Sequence, residues 1–439
     1  MEKNKNLTRA FFLGSAIFTL CGFFNLQAQE LSPSQAANNL GTRLYAMHEA
    51  DSGNIFLSPF SVLSAVGLAQ EGAAGPTADQ MRKALRLNSN SKTRLEDFKN
   101  WIGVINSPTK SFELHTSNNL WVQKNVSLSP TYLKTAQTNF GGGVTNLDFT
   151  NDPNGSAQTI NDKVSKETAG FIPQLVSPAS ISDATRLILT NAIYFKSDWD
   201  NPFKKESTDK EDFHLANEKT EPVSMMNQDL TAPMGDFEGS AQVLALPYRG
   251  GEVSMYIFLP PLGKMAKLEK ALTGDNLNSF LEPHPVAAKK NDSENFDTGS
   301  SAPPTTDVTG LPSQEVMLTL PKFTFRTSYD LTASLNQMGM PLAFTKPASE
   351  TGSGADFSGI DGKKDLFITG VFHQAYVAVD ETGTTAAAAT AIEFGVEGAE
   401  EKPTPPPFLV DHPFIFMIVE NTTHTVLFMG RVNDPLAKN

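Results

Sequence analysis

Only one cysteine occurs in the chain, Cys21, close to the N-terminus. Beyond it, disulfide scaffolds, thiol nucleophiles and cysteine metal sites are excluded. Long apolar runs are equally scarce. The run from Ala10 to Phe24 follows Lys3, Lys5 and Arg9 and leads to "LQA", ending at Ala28. Such a short run, with a basic flank and a small residue at its end, reads as a secretory signal over residues 1–28 and not as a membrane anchor. A lipid on Cys21 is the minor alternative, because Leu20 stands where a lipoprotein signal wants a small residue. The expected location is secreted, that is, periplasmic or extracellular, with no membrane span.

Catalytic signatures are missing as well. There is no G-x-S-x-G elbow and no phosphate-binding Walker loop, since "GKK" at 362–364 lacks the spacing and the Ser/Thr. The seven histidines are scattered, without H-E-x-x-H or other metal spacing, so neither a metal nor a cofactor is expected. A triad assembled from distant residues leaves no local trace, but an enzyme is not the expected reading. Positive charge is in deficit. Lys and Arg number 35 against 48 Asp and Glu, a net charge of −13. Loss of residues 1–28, with three basic residues and Glu2, takes it to −15. This balance argues against nucleic acid and anionic membranes as partners. The basic residues Arg82, Lys83, Arg86, Lys92 and Arg94 read as a solvated helix face in preference to a polyanion site.

What is present is a chain that is 39% hydrophobic, enough for a large core. Ser58-Pro59 and Ser129-Pro130 predict helix starts with serine as N-cap, and Thr77 and Gln80 have capping-box spacing. Strands are predicted at "RLILTNAIYF", "VSMYIFLP", "VMLTLPKFTF" and "FITGVFHQAYVAV", and "PFIFMIVEN" with "TVLFMGRV" flank "NTTH" as a hairpin. Several are nearly continuous apolar runs, as in a sheet covered on both faces. The fold class is α+β, in a single domain over 29–439. Residues 286–313 are polar and aperiodic and read as a flexible surface insertion. Asn191 and His373 interrupt apolar strands, and each needs a buried polar partner.

One segment fits none of these elements. "VDETGTTAAAATAIEFGVEGAEE", 379–401, follows a strand and contains no proline. Read as a strand over 384–394, one face carries Thr384, Ala386, Ala388, Thr390, Ile392 and Phe394. The other face, with Thr385, Ala387, Ala389 and Ala391, holds the only charge, Glu393. Period-two segregation and the absence of proline suit a strand with one buried side. Gly383 supplies a hinge at its base. A helical turn at 386–391 is too short to be stable alone.

"DETGTTAAAATA" resembles the reactive-loop hinge of the serpins. "NIFLSPFSV", "LTNAIYFKSDWDNPF", "LPKFTF", "YDLTASLNQMGM", "ADFSGI" and "HPFIFMIVENTTHTVLFMGRV" resemble serpin segments in family order over nearly the whole mature chain. The resemblance implies one domain with three β-sheets, about eight or nine helices and an exposed reactive-centre loop over 381–412. It implies a single-use inhibitor that acts as a monomer. A protease attacks the loop, is held as an acyl-enzyme, and is carried across the molecule as the cut loop enters the central sheet. Carried over by position, Glu381, Gly383, Thr384 and Ala386, Ala387, Ala388 and Ala389 form the hinge. Ser58, Ser61, Asn191 and His373 form a polar cluster beneath the sheet opening. Trp199, Lys322 and Glu381 mark where insertion begins, with an ion pair between Lys322 and Glu381. Thr385 departs mildly from the glutamate common there. The usual spacing from Glu381 puts the reactive bond at Glu397-Gly398, or one residue earlier at Val396-Glu397. The implied partner is an endopeptidase: glutamate-specific or elastase-like among serine proteases, or papain-like among cysteine proteases. The alternative is a non-inhibitory binding protein of the same fold, a carrier or chaperone.

Overall fold

The structure is a computed structural model that describes residues 29–282, 310–348, 353–384 and 405–438. The expected signal at 1–28, the alanines Ala386 to Ala389 expected in the hinge, and both alternatives for the expected reactive bond, Val396, Glu397 and Gly398, lie outside these residues, as does most of 286–313.

Among the described residues, ten α-helices pack around two hydrogen-bonded sheets. One sheet has six strands in the order Phe323–Asp330, Ile368–Val379, Gly383–Thr384, Leu187–Asp198, Glu113–Gln123, Gly143–Leu147. The other has a path of nine strands. The third sheet that the resemblance implies, formed by Thr208–His214, the first part of Thr220–Phe237, Ser313–Pro321 and Pro407–Leu409, is joined to the second through the long strand Thr220–Phe237. Residues 225–233 of that strand pair with Ser313–Pro321, and 234–237 pair with Ala241–Pro247.

The apolar runs behave as expected. Residues 187–195 are buried throughout, and so are all of Phe414–Glu420 and Thr425–Val432, which pair antiparallel as a hairpin. Ser58 caps helix Pro59–Gly72, and Ser129 caps Pro130–Thr135. The Thr77–Gln80 capping box does not form. Pro76 moves the helix start back to Gly75, and the two side chains turn outward from the helix end. Thr77 Oγ1 accepts from the Asp356 amide at 3.0 Å, and Gln80 Oε1 from the Leu342 amide at 3.0 Å.

Two further boundaries differ from expectation. "VMLTLPKFTF" is not one strand but two, Ser313–Pro321 and Phe323–Asp330, in different sheets; the first still bonds its partner through the Lys322 amide on the Ser224 carbonyl at 2.9 Å, and from Phe323 the chain pairs with 368–379 instead. The ends of the two presumed loops are also structured. Leu311 to Ser313 lead into a strand, with the Met234 amide on the Pro312 carbonyl at 3.0 Å. Pro407–Leu409 forms an edge strand parallel to 313–321, which tolerates proline at its first position.

Of the basic residues at 82–94, Arg82, Arg86 and Arg94 are paired with Glu30, Asp275 and Glu71. No helix among the described residues is long and apolar enough to cross a membrane, and none of their His, Cys, Asp and Glu side chains are grouped to hold a metal.

Candidate functional site

Strands 187–198 and 368–379 run parallel and pair directly from Ile368 opposite Leu187 to Tyr376 opposite Tyr194. Helix 59–72 packs against strand 187–198. The second core cluster, in which Ile160 and Val164 of helix Pro153–Glu167 join Trp121, Ile188 and Ala192, packs against Phe372. The seam between these strands is thus covered by residues from separate helices.

His373 and Asn191 face each other across this seam at the same register. Asn118 is the partner of Asn191 on the next strand. Their side chains join those of the serines at the start of helix 59–72 in one closed network. Asn191 Nδ2 donates to Ser61 Oγ and to Asn118 Oδ1. Ser61 Oγ donates to Asn118 Oδ1 at 3.1 Å, and Ser58 Oγ donates to the Leu427 carbonyl at 2.6 Å. His373 Nε2 accepts from the Ser58 amide at 3.1 Å, so the ring proton must sit on Nδ1, which donates to Asn191 Oδ1. Only the neutral imidazole can do both. Burial drives the His373 pKa down to about 3, against the upward pull of its hydrogen bond to Asn191.

The sign of the resulting pH effect follows. Unfolded His373 titrates near its ordinary value of about 6.5, so between that pH and about 3 the unfolded chain binds the extra proton. Stability is full above this window and is lost as pH falls through it, at about 1.4 kcal/mol per pH unit. His373→Asn is expected to be less stable than the wild type at pH 7. The gap should shrink by about 2 kcal/mol on going to pH 5. Urea midpoints of both proteins at the two pH values measure this, and a constant gap would refute the neutral-ring assignment.

At the upper end of the seam, Gly383–Thr384 already sits between the two strands. Thr384 pairs antiparallel with Ser197 and with Val379, and Gly383 with Asp198. Gly383 is required by close approach: a Cβ there would lie 2.1 Å from the Ser197 carbonyl oxygen. Thr384 is 1% exposed, and its Oγ1 lies 2.5 Å from the Tyr248 hydroxyl. Tyr248 stacks on Trp199 with ring centroids 4.4 Å apart. Trp199 in turn donates Nε1–H to the Asp380 carbonyl at 2.9 Å and its amide to the Thr382 carbonyl at 2.8 Å. Lys322 Nζ meets Glu381 Oε2 at 2.6 Å, and Thr208 donates to Glu381 Oε1 at 2.9 Å. Burial opposes the Glu381 charge, but Lys322 and Thr208 outweigh it and hold the carboxyl below its ordinary range.

The structure therefore brings together Ser58, Ser61, Asn191 and His373 in one group and Trp199, Lys322, Glu381, Gly383 and Thr384 in another. Asn118, Tyr248 and Thr208 belong to these groups and were not singled out by sequence. The polar run "HTSNN" before Leu120 was the available sign for Asn118.

The geometry is that of a two-sheet α+β molecule with a buried polar cluster between two parallel strands and a chain segment seated at the end of their seam. The model of the family described as "Serpin (serine protease inhibitor)" matches residues 35–435. The chain belongs to the serpin family, a family of protease inhibitors and not of enzymes. It is 36% identical over 93% of its length to an uncharacterized serpin-like protein of Thermococcus kodakarensis, covering 87% of that protein. It is 35% identical over 89% of its length to the leukocyte elastase inhibitor of Sus scrofa, covering 96% of it. Among solved structures, Serpin48 of the insect Tenebrio molitor aligns with a TM-score of 0.76 at 28% identity, over 92% of this chain and 97% of that one.

Proposed function

We propose that the protein is a secreted suicide-substrate inhibitor of an endopeptidase. The observation that carries this reading is Thr384, seated at the mouth of the seam between 187–198 and 368–379, at the head of a segment patterned as a strand. In the proposed reaction the protease nucleophile attacks the carbonyl of Glu397, or of Val396 in the alternative register. The peptide bond to the next residue breaks, the departing amine takes up a proton, and an ester or thioester remains on the protease. The freed 384–394 segment then follows Thr384 down the seam. It replaces the direct pairing of His373 with Asn191 and lifts the cover of helix 153–167. The elastase in the name of the Sus scrofa relative favours an elastase-like target, in keeping with Val396. The segment 1–28 supports export.

A panel of elastase, glutamyl endopeptidase, trypsin and papain tests this. At least one is expected to form a complex that survives boiling in detergent, with release of a C-terminal peptide beginning at Gly398 or Glu397 by mass spectrometry. Cleavage between 385 and 404 by all four without any such complex would overturn the inhibitor reading and leave a binding protein of serpin fold.

A further inference from the structure

The segment 405–413, which joins edge strand 407–409 to the core hairpin, carries one buried histidine. His412 lies between edge strand 407–409 and core strand 414–420 and is only 8% exposed. Its Nδ1 is 2.7 Å from Asp411 Oδ1, and its Nε2 is 2.7 Å from the Pro260 carbonyl oxygen. A carboxylate and a carbonyl can only accept, so each ring nitrogen must carry a hydrogen, and the ring is an imidazolium. Contrast His373, whose ring meets a donor on one side. Around His412 the backbone is tied down by the His214 amide on the Asp411 carbonyl at 2.7 Å and by the Val410 amide on the Thr319 carbonyl at 2.9 Å.

We propose that His412 is a proton-operated clasp. With its proton it binds residues 405–413 to the end of strand Val253–Leu259 at Pro260, and without it that segment unfastens from the sheet. Loss of either N–H sets a ring lone pair against an oxygen lone pair in a buried site, which costs far more than a hydrogen bond lost in water. His412 is among the residues lining a cleft of about 1090 Å³.

The other titratable and charged groups of that cleft are His214, Glu49, Asp51, Glu218, Arg431 and Asp434. His214 Nε2 stands 4.0 Å from Asp411 Oδ2 and shares that carboxylate when protonated. Arg431 is occupied by Glu269 at 2.6 Å and by the carbonyls of Glu49 and Asp51. It therefore does not replace the missing charge. Burial works against the His412 charge, but Asp411 and the Pro260 carbonyl outweigh it and the pKa is raised above the ordinary value. The sign follows: the clasp contributes fully below about 6.5, the unfolded value, and is lost as pH rises through the higher folded value. Opening it would bare the edge of strand 313–321 to other extended chain segments.

The inference does not depend on protease trapping, and no protease enters its test. Spectra of the intact protein with ¹⁵N-labelled histidine are expected to show both nitrogens of His412 protonated at pH 6. Amide-exchange protection of Val410 and His214, corrected for base catalysis, should fall about tenfold from pH 6 to pH 9 relative to the core hairpin. In His412→Gln that protection should already be about tenfold low at pH 6 and flat with pH. In His412→Lys, whose cation persists to pH 9, it should remain high. A neutral His412 at pH 6, a flat wild-type profile, or a wild-type fall that His412→Lys reproduces would each overturn the clasp.

Discussion

Replacing Thr384 by arginine is expected to turn the protein from a trap into an ordinary substrate. Thr384 is buried against Ser197 on one side and Val379 on the other, with its hydroxyl on Tyr248. Burial pushes the Tyr248 hydroxyl pKa far upward, with its hydrogen bond to Thr384 pulling the other way, so the phenol stays neutral and offers no counter-charge. The nearby carboxylates are already held, Glu381 by Lys322 and Thr208, Asp198 by Arg249, and Asp380 by the amides of Thr382 and Gly383. An arginine here is an unpaired cation in a buried site, a defect worth about 3–5 kcal/mol. At about 1.4 kcal/mol per factor of ten, seating of the first inserting residue slows by two orders of magnitude or more while hydrolysis of the acyl-enzyme is unaffected. The detergent-stable complex should disappear from gels, the loop should still be cut, and at least ten times more inhibitor should be consumed per protease silenced. Thr384→Ser, which keeps the hydroxyl on Tyr248, should trap nearly as well as the wild type. Wild-type stoichiometry from the arginine variant would show that this residue does not lead a strand into the seam.

Which features the sequence disclosed depends on the range of the interactions that cause them. Strand 187–198 and hairpin 414–432 were legible because continuous burial forces continuous apolarity. The Ser58 cap was legible because a cap and its helix are neighbours in the chain. Asn191 and His373 stood out as polar residues in apolar strands, but nothing local paired them. Their shared register, and the family resemblance that anticipated it, are tertiary properties. Tyr248 went unseen because it is an apolar-looking residue whose use is set by Thr384, 136 positions away. Thr208 reaches Glu381 over 173 positions. The misread elements have the same origin. Thr77 and Gln80 satisfy the spacing of a capping box, but the tertiary donors at Asp356 and Leu342 claim their side chains. Pro407 reads as loop until an edge position makes its missing N–H harmless.

Cutting the loop once, at any bond beyond Phe394, is expected to make the protein more stable. In the intact chain the segment that begins at Thr384 is held there in the sheet and, further along, at edge strand 407–409, while strands 187–198 and 368–379 pair directly with each other from Leu187 to Tyr194. A cut releases the far tether. The segment can then form about a dozen ladder hydrogen bonds at roughly 0.5–1.5 kcal/mol each and bury Ile392 and Phe394 at roughly 1.5–3 kcal/mol each. Ordering some ten residues consumes much of that, and parting the His373–Asn191 bond consumes more. Even a surplus of about 5 kcal/mol raises the midpoint of a chain this long by about 6 °C, given an unfolding entropy near 2.1 cal/mol/K per residue. Limited proteolysis followed by calorimetry reads this directly, and after the cut the 384–394 amides should show the exchange protection of the neighbouring strands. Since His373 and Asn191 can no longer meet once a strand lies between them, the acid sensitivity derived for the intact protein should also change on cutting. If the nicked protein melted at or below the temperature of the intact one, with its new end open to exchange, the seam between 187–198 and 368–379 would be a closed structural feature and the inhibitor reading would lose its mechanism.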